Sequence, residues 1–239
     1  MKRIAAALCC LLFLCHLSCA AAVERGFLVY HGDREQNRIA VTVDDCYDLN
    51  NLRRVLDLCE KYDVPVTFFV VGTALREEDR EIWQSVLNHG CEIGNHTYGH
   101  ASLIKCDNRQ ILNQLLRTQQ QLDAVLGYHY PMNVMRPPYG NTQRANGTSV
   151  CNAIAYAGYA HAVLWDVSQT NAQKARKAVQ NGSILLYHTN WKDVECLETL
   201  IPALLEDGYV LCTVSELLGL DAPATSTDLY TFHMEDYVN

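Results

Sequence analysis

Apolar runs of strand length alternate with stripes of helical period through most of the chain. The strand candidates are Ile39–Val43, Val64–Val71, Cys91–Gly94, Asn133–Arg136, Tyr159–Trp165, Ser183–Tyr187 and Tyr209–Thr213. Between them Leu49, Leu52, Leu56 and Cys59 recur at spacings of three and four, as one face of a helix requires. Ile82 and Val86, and then Ile111, Leu115, Leu122 and Leu126, mark two more helices. Asp107 or Asn108 is placed to cap the longer of these and Gly127 to end it. Later helices are predicted over Ser149–Ala157, Ala172–Gln180 and Val194–Glu206, with Gly158 and Gly208 as stops. Strands that alternate with helices predict a parallel sheet with helical crossovers. The run from Val64 to Val71 is apolar on both faces, which suits a sheet covered on both sides. Periodicity leaves a seven-fold β/α barrel and an open doubly wound sheet both open.

Two segments fall outside this rhythm. Lys2 and Arg3 precede the apolar run Ile4–Leu17, and Ala20, Ala21 and Ala22 follow it, the pattern of a secretory signal over 1–22 cleaved after Ala22. The run is shorter than the ~20 residues of a comfortable membrane span. The expectation is therefore an extracytoplasmic protein, secreted or in a bacterial cell envelope, with no stable membrane span after cleavage. An uncleaved anchor and a lipid on Cys19 are the alternatives, the second disfavoured by His16 three positions earlier. Residues 221–239 carry Pro, Thr and Ser and then acids, and read as an acidic C-terminal tail. That leaves one domain, 23–220, close to the ~250 residues of an α/β barrel.

The 239 residues carry 19 Lys and Arg against 27 Asp and Glu, a net charge of -8, and no basic stretch. A nucleic-acid phosphate backbone is thereby excluded as partner. Seven of the 11 cysteines lie beyond Ala22. An odd number leaves at least one unpaired in a monomer, and the absence of a CxxC or regular spacing reads most of them as core residues.

Chemistry collects where the predicted strands end. Asp44-Asp45, then His96 to His100, Arg136 to Gly140, Asp166 and His188 each follow a different strand. In a parallel sheet such positions share the C-terminal edge and converge on one cleft. Taken singly, Asp44 and Asp45 read as turn formers, Arg136 as a salt-bridge residue and His188 as a core imidazole. Together, a carboxylate and two histidines supply three ligands and leave a position open, as in a catalytic zinc site. The second carboxylate then fits a general base, His188 an acid across the cleft, and Arg136 a clamp on the base. The reaction class is metal-assisted hydrolysis of an amide or ester. Asn95, Asn146 and Asn181 begin glycosylation sequons, the first discounted because it abuts the proposed metal site.

In their order and spacing these motifs resemble the NodB-homology polysaccharide deacetylases, carbohydrate esterase family four, over about residues 36–220. Thr42-Val43-Asp44-Asp45 is similar to the family's first motif, usually Thr-Phe-Asp-Asp-Gly, and His96-Thr97-Tyr98-Gly99-His100 to its metal motif. Arg136-Pro137-Pro138-Tyr139-Gly140 matches the third in full, and Gly182 to His188 resembles the fifth. The resemblance implies a distorted (β/α)7 barrel and a divalent metal held by Asp45, His96 and His100, zinc first, with cobalt or manganese as alternatives. It further implies Asp44 as base, Arg136 as its partner, His188 as acid and the Tyr139 backbone N–H on the oxyanion. The expected activity removes N-acetyl groups from glycan polymers such as peptidoglycan or chitin, by a monomer. An O-deacetylase of acetylated xylan, a small-amide hydrolase and a weakened carbohydrate-binding homologue are the other readings. Tyr98, Tyr139, Tyr187 and Trp191 are candidate faces for sugar rings.

Two departures stand out. Cys46 replaces the family's Gly after the metal Asp, so that turn has to accept a Cβ. In the fourth motif the family's Asp-Trp pair falls on Asn171-Ala172. An Asn orients the acid His188 without adding negative charge, so a lowered His188 pKa is expected, with Asp166 as a possible substitute.

Overall fold

The computed structural model describes residues 26–231. The expected leader at 1–22 and the last eight residues of the acidic tail lie outside the described residues. Eight parallel strands form one sheet: β1 (Leu28–Val29), β2 (Arg38–Asp45), β3 (Thr67–Val70), β4 (Glu92–Asn95), β5 (Val134–Met135), β6 (His161–Val163), β7 (Ile184–His188) and β8 (Val210–Leu211). Their spatial order is β1-β6-β5-β4-β3-β2-β7, with β8 pairing the start of β2. The helices are α1 (Leu49–Tyr62), α2 (Arg80–Asn88), α3 (Asn108–Leu126), α4 (Cys151–Tyr156), α5 (Ala172–Ala178), α6 (Trp191–Glu206) and α7 (Val214–Leu217). This is the mostly parallel α/β fold that the alternation predicts. The added strand is β1, whose two residues are too short to leave a periodic signature.

The sheet curls but does not close by a full strand pair. Its ends meet through the bridge Val167–Leu185 and the antiparallel bridge His31–Ser183. Gly182 makes the second meeting possible. Its φ is +74°, and an added Cβ would lie 2.7 Å from the Asp33 carbonyl oxygen and 2.8 Å from that of Gly32. The Gly32 amide donates to the Gly182 carbonyl at 2.7 Å, so the clash is with backbone that has no room to retreat. Gly182→Ala is expected to destabilise the fold by about 3 kcal/mol, combining left-handed strain with overpacking. Urea unfolding measures this, and an unchanged midpoint would show that the seam carries no such constraint.

The first three helices dock by the apolar faces their spacing predicts. Leu52, Val55, Leu56 and Cys59 are the buried side of α1, which Asp48 caps by accepting from the Asn50 and Asn51 amides. Asp107 and Gln110 form a reciprocal capping box at the start of α3, and Gly127 ends it at φ 83°. The far end of the chain is not a free tail through its described part. Ser226 pairs with His129, the Tyr230 amide donates to Asp123 Oδ2, and the Tyr230 ring stacks on His129. Among the described residues no helix is long and apolar enough to cross a membrane.

Register aligns the strand ends. Asp44 lies beside Phe69 on one neighbour and beside His188 on the other. Val70 lies beside Asn95, and Asn95 beside Met135. The strands' last residues therefore reach a single edge, and the loops that leave it begin there.

Candidate active site

β2 ends in two carboxylates with different surroundings. Asp44 is buried, and its Oδ1 accepts from Arg136 Nη1 at 2.7 Å. Arg136 has no exposed surface and spends its other donors on Thr42 Oγ1, the Val163 carbonyl and the Leu164 carbonyl. Its guanidinium lies 4.2 Å from the centre of the Phe69 ring and 5.6 Å from that of Trp165. A charge with no access to water persists there because every face of it meets an acceptor or an aromatic ring. Arg136 thus fixes which oxygen of Asp44 is occupied and leaves Oδ2 toward the cleft, 3.7 Å from His96 Nε2.

Asp45, His96 and His100 come together as the spacing predicts, with one potential ligand atom from each within 4.8 Å of the others. His96 Nδ1 lies 2.8 Å from the Arg136 carbonyl oxygen. A carbonyl only accepts, so Nδ1 carries the proton and Nε2 presents a lone pair. Burial also pushes the His96 pKa down, against the pull of Asp44 and Asp45, which keeps the ring neutral and ligand-ready. Asp45 Oδ1 sits 3.6 Å from His96 Nε2 and 3.4 Å from His100 Nε2, yet it is buried without a hydrogen-bond partner. Three groups able to donate electron pairs, facing one another around an unbonded carboxylate oxygen, fit a divalent cation. Two imidazoles and a carboxylate match the ligand chemistry of zinc, and also of cobalt.

The backbone around this triad is strained. Asp45, Cys46, Thr97, His100 and Tyr139 all hold positive φ, between 53° and 70°. Such conformations cost roughly 1–3 kcal/mol each and persist where function needs them. The expectation for Cys46 is met: its turn has φ 65° with a Cβ present, and its thiol is buried against the Val43 carbonyl. Tyr139 has φ 64° at the loop after β5, and its hydroxyl lies 3.2 Å from His100 Nδ1. Asn95 is wholly buried, donating to the Leu115 carbonyl and Tyr159 and accepting from the Thr97 amide, so it anchors the loop between the two histidines.

His188 and Asp44 are register neighbours on adjacent parallel strands, so their side chains leave the sheet on the same face. The partner of His188 corrects the sequence reading. Asn171 accepts from the Lys174 amide as the N-cap of α5, and Asp166 binds Arg34, Ser183 and the Ile184 amide. The carboxylate beside His188 belongs to Asp193, with Oδ2 at 3.1 Å from Nδ1 and 2.8 Å from the His188 amide. Its hydrogen bond raises the His188 pKa above the ordinary imidazole range, burial opposes it, and the charges of Asp44 and Asp45 add to it. The expected lowering is thus reversed. A signal was present in the sequence: Asn190 caps α6, and Asp193 follows three residues later, where an acid turns back over the helix start. A cavity of about 310 Å³ opens beside this pair, bordered by Ser168, Thr170, Leu186, Asn190 and Lys192. Of the aromatic candidates, Tyr139 and Trp191 are exposed, Tyr98 lies under the Arg117 guanidinium, and Tyr187 is buried.

Curled parallel sheet, strand-end carboxylates and paired histidines together define a hydrolase-type α/β site. The sequence profile described as polysaccharide deacetylase matches residues 31–162, and the chain belongs to that family. A peptidoglycan-N-acetylglucosamine deacetylase of Bacillus cereus is 30% identical over 81% of this chain and 93% of its own length. A bifunctional xylanase/deacetylase of Pseudobutyrivibrio xylanivorans is 31% identical over 78% of this chain. The chain spans 31% of that relative, 40% of a Listeria monocytogenes peptidoglycan-N-acetylglucosamine deacetylase and 60% of the Bacillus subtilis protein YlxY. Among solved structures, the Bc1960 peptidoglycan N-acetylglucosamine deacetylase aligns with a TM-score of 0.72 at 26% identity, covering 84% of this chain and 97% of that one. A mutant of BA3943, a pseudoenzyme of this family with restored enzymatic activity, aligns with a TM-score of 0.70 at 25% identity, covering 80% and 71%.

Proposed function

We propose that this chain is a secreted, metal-dependent deacetylase that removes N-acetyl groups from N-acetylhexosamine polymers outside a bacterial cytoplasm, with peptidoglycan or a chitin-like glycan as substrate. The observation that carries the reading is the buried Asp44–Arg136 pair beside a His188 whose pKa Asp193 raises. Asp45, His96 and His100 would hold the cation, which when bound would supply Lewis acidity and lower the pKa of water. Arg136 orients Asp44 with one oxygen free, so Asp44 accepts the proton that water gives up as its oxygen joins the acetamide carbon. The Tyr139 backbone N–H is assigned to the oxygen on which charge develops. His188, whose hold on its proton Asp193 strengthens, delivers a proton to the nitrogen as the C–N bond breaks, giving acetate and a free amine.

His188 supports amide over ester in this reading. An amine leaves only after gaining a proton, so an acid with a raised pKa is most useful there. The xylanase/deacetylase relative keeps an O-deacetylase as the second reading. A binding homologue that has lost turnover is the third, prompted by the pseudoenzyme neighbour; an acid with its own carboxylate has no use in such a protein.

The test is acetate release from N-acetylglucosamine oligomers, peptidoglycan and acetylated xylan, measured before and after a chelator and after zinc is returned. Release from the amino-sugar substrates, lost with the chelator and recovered with zinc, is the expected result. Release from xylan alone moves the substrate to an ester. Binding of oligomers without release from any of the three overturns the enzyme reading.

A further inference from the structure

Two thiols outside the active site face each other. Cys59, in the last turn of α1, and Cys91, just before β4, place their sulfurs 3.7 Å apart and lie 32 positions apart in the chain. Four other cysteines turn elsewhere: Cys46, Cys106, Cys196 and Cys212 give their thiols to the carbonyls of Val43, Ser102, Gln169 and Ile39. We propose that Cys59 and Cys91 form an intramolecular disulfide when the folded chain meets a small disulfide oxidant such as oxidised glutathione. This does not rest on the deacetylase reading.

Geometry permits it. A disulfide needs sulfurs about 2 Å apart, so closure draws them together by less than 2 Å, within reach of small side-chain rotations and backbone adjustment. Both side chains are buried, and the Cys91 sulfur also meets the backbone of Val66. Cys91 also borders a cavity of about 190 Å³ shared with Gly90, Tyr130 and Thr213, so the pair sits at the wall of the core rather than at its centre. The contact pairs the two thiols, and Cys91, on the cavity wall, is the one placed to meet the oxidant first. The Cys91 thiolate attacks the oxidant's sulfur–sulfur bond and releases one glutathione thiolate. The Cys59 thiolate then attacks Cys91 Sγ in the mixed disulfide and releases the second. Two electrons pass to the oxidant, and the two protein protons end on the two departing thiols. The new bond joins α1 to β4 around β3 and α2, so the loop it closes holds the middle of the sheet.

The purified full chain, folded under reducing conditions, is equilibrated with oxidised glutathione, alkylated after denaturation and mapped by mass spectrometry. Expected are loss of the mass of two hydrogens, a peptide pair joining Cys59 to Cys91, and a Tm about 10 °C above the same sample in dithiothreitol. The difference between oxidised and reduced samples disappears in Cys59→Ala and in Cys91→Ala, a comparison made within one variant and independent of that variant's own stability. Alkylation of both residues, glutathione adducts alone, or a link to a different cysteine overturns the proposal.

Discussion

An Asp44→Asn variant is expected to release acetate about a thousandfold more slowly than the parent, the size of effect that removal of a positioned proton acceptor commonly has. The amide fits the same space and still offers an oxygen to Arg136 Nη1, but it cannot take a proton from water. Stability falls as well. Arg136 has no exposed surface, so removing its counter-charge leaves a guanidinium in the core with no anion beside it. Breaking a buried pair from one side costs about 3 kcal/mol. The two losses are read separately, turnover by acetate release at a temperature where circular dichroism shows the variant folded, and stability by chemical denaturation. Activity within tenfold of the parent would remove Asp44 from the role of base. An unchanged denaturation midpoint would mean that the pair contributes nothing net to the fold.

The second expectation concerns Asp193. Asp193→Asn is expected to slow turnover about a hundredfold, part of what a general acid supplies, and to move the alkaline limb of the pH–rate profile to lower pH. The sign follows from the role. His188 must be protonated to deliver its proton, so rate is lost as pH rises through its pKa in the folded protein. Asp193 raises that pKa, chiefly by its hydrogen bond to Nδ1. Asparagine keeps an oxygen near Nδ1 but removes the charge, so His188 loses its proton at lower pH. The reverse change at Asn171, to Asp, leaves the limb where it is, because Asn171 caps α5 and makes no contact with His188 among its hydrogen bonds. A limb that stays fixed in Asp193→Asn while rate falls would assign Asp193 to packing alone.

Much of this protein is legible in its primary structure. The alternation of apolar runs with helical stripes is a local property, and it placed α1, α3 and α6 because apolar spacing, a cap such as Asp107 and a stop such as Gly127 act within a few residues. The start of α6 differs, at Trp191 rather than at the expected Val194. The metal-type cluster was readable for a related reason. Asp45 ends a strand, and His96 and His100 are four residues apart on one loop, so strand direction alone brings them to one edge. Strand lengths were less readable. The expected run Val64–Val71 is a strand only over Thr67–Val70, and Tyr159–Trp165 only over His161–Val163.

The partner of His188 needed three dimensions. Asn171 stands at the matching position of the fourth motif and Asp166 follows a strand end, but both are committed to other bonds. Asp193 lies one helical turn into α6, and whether its carboxylate caps that helix or turns back to His188 depends on how α6 docks under β7. The same holds for the seam of the sheet, which rests on β1, two residues with no pattern to announce them, and on Gly182 against the backbone of Gly32 and Asp33. Residue types and their spacing specify elements and strand ends, because those interactions span a few residues. Which buried carboxylate meets which imidazole, and which two sulfurs meet across α1 and β4, is set by contacts between segments far apart in the chain, and only the packed fold selects among them.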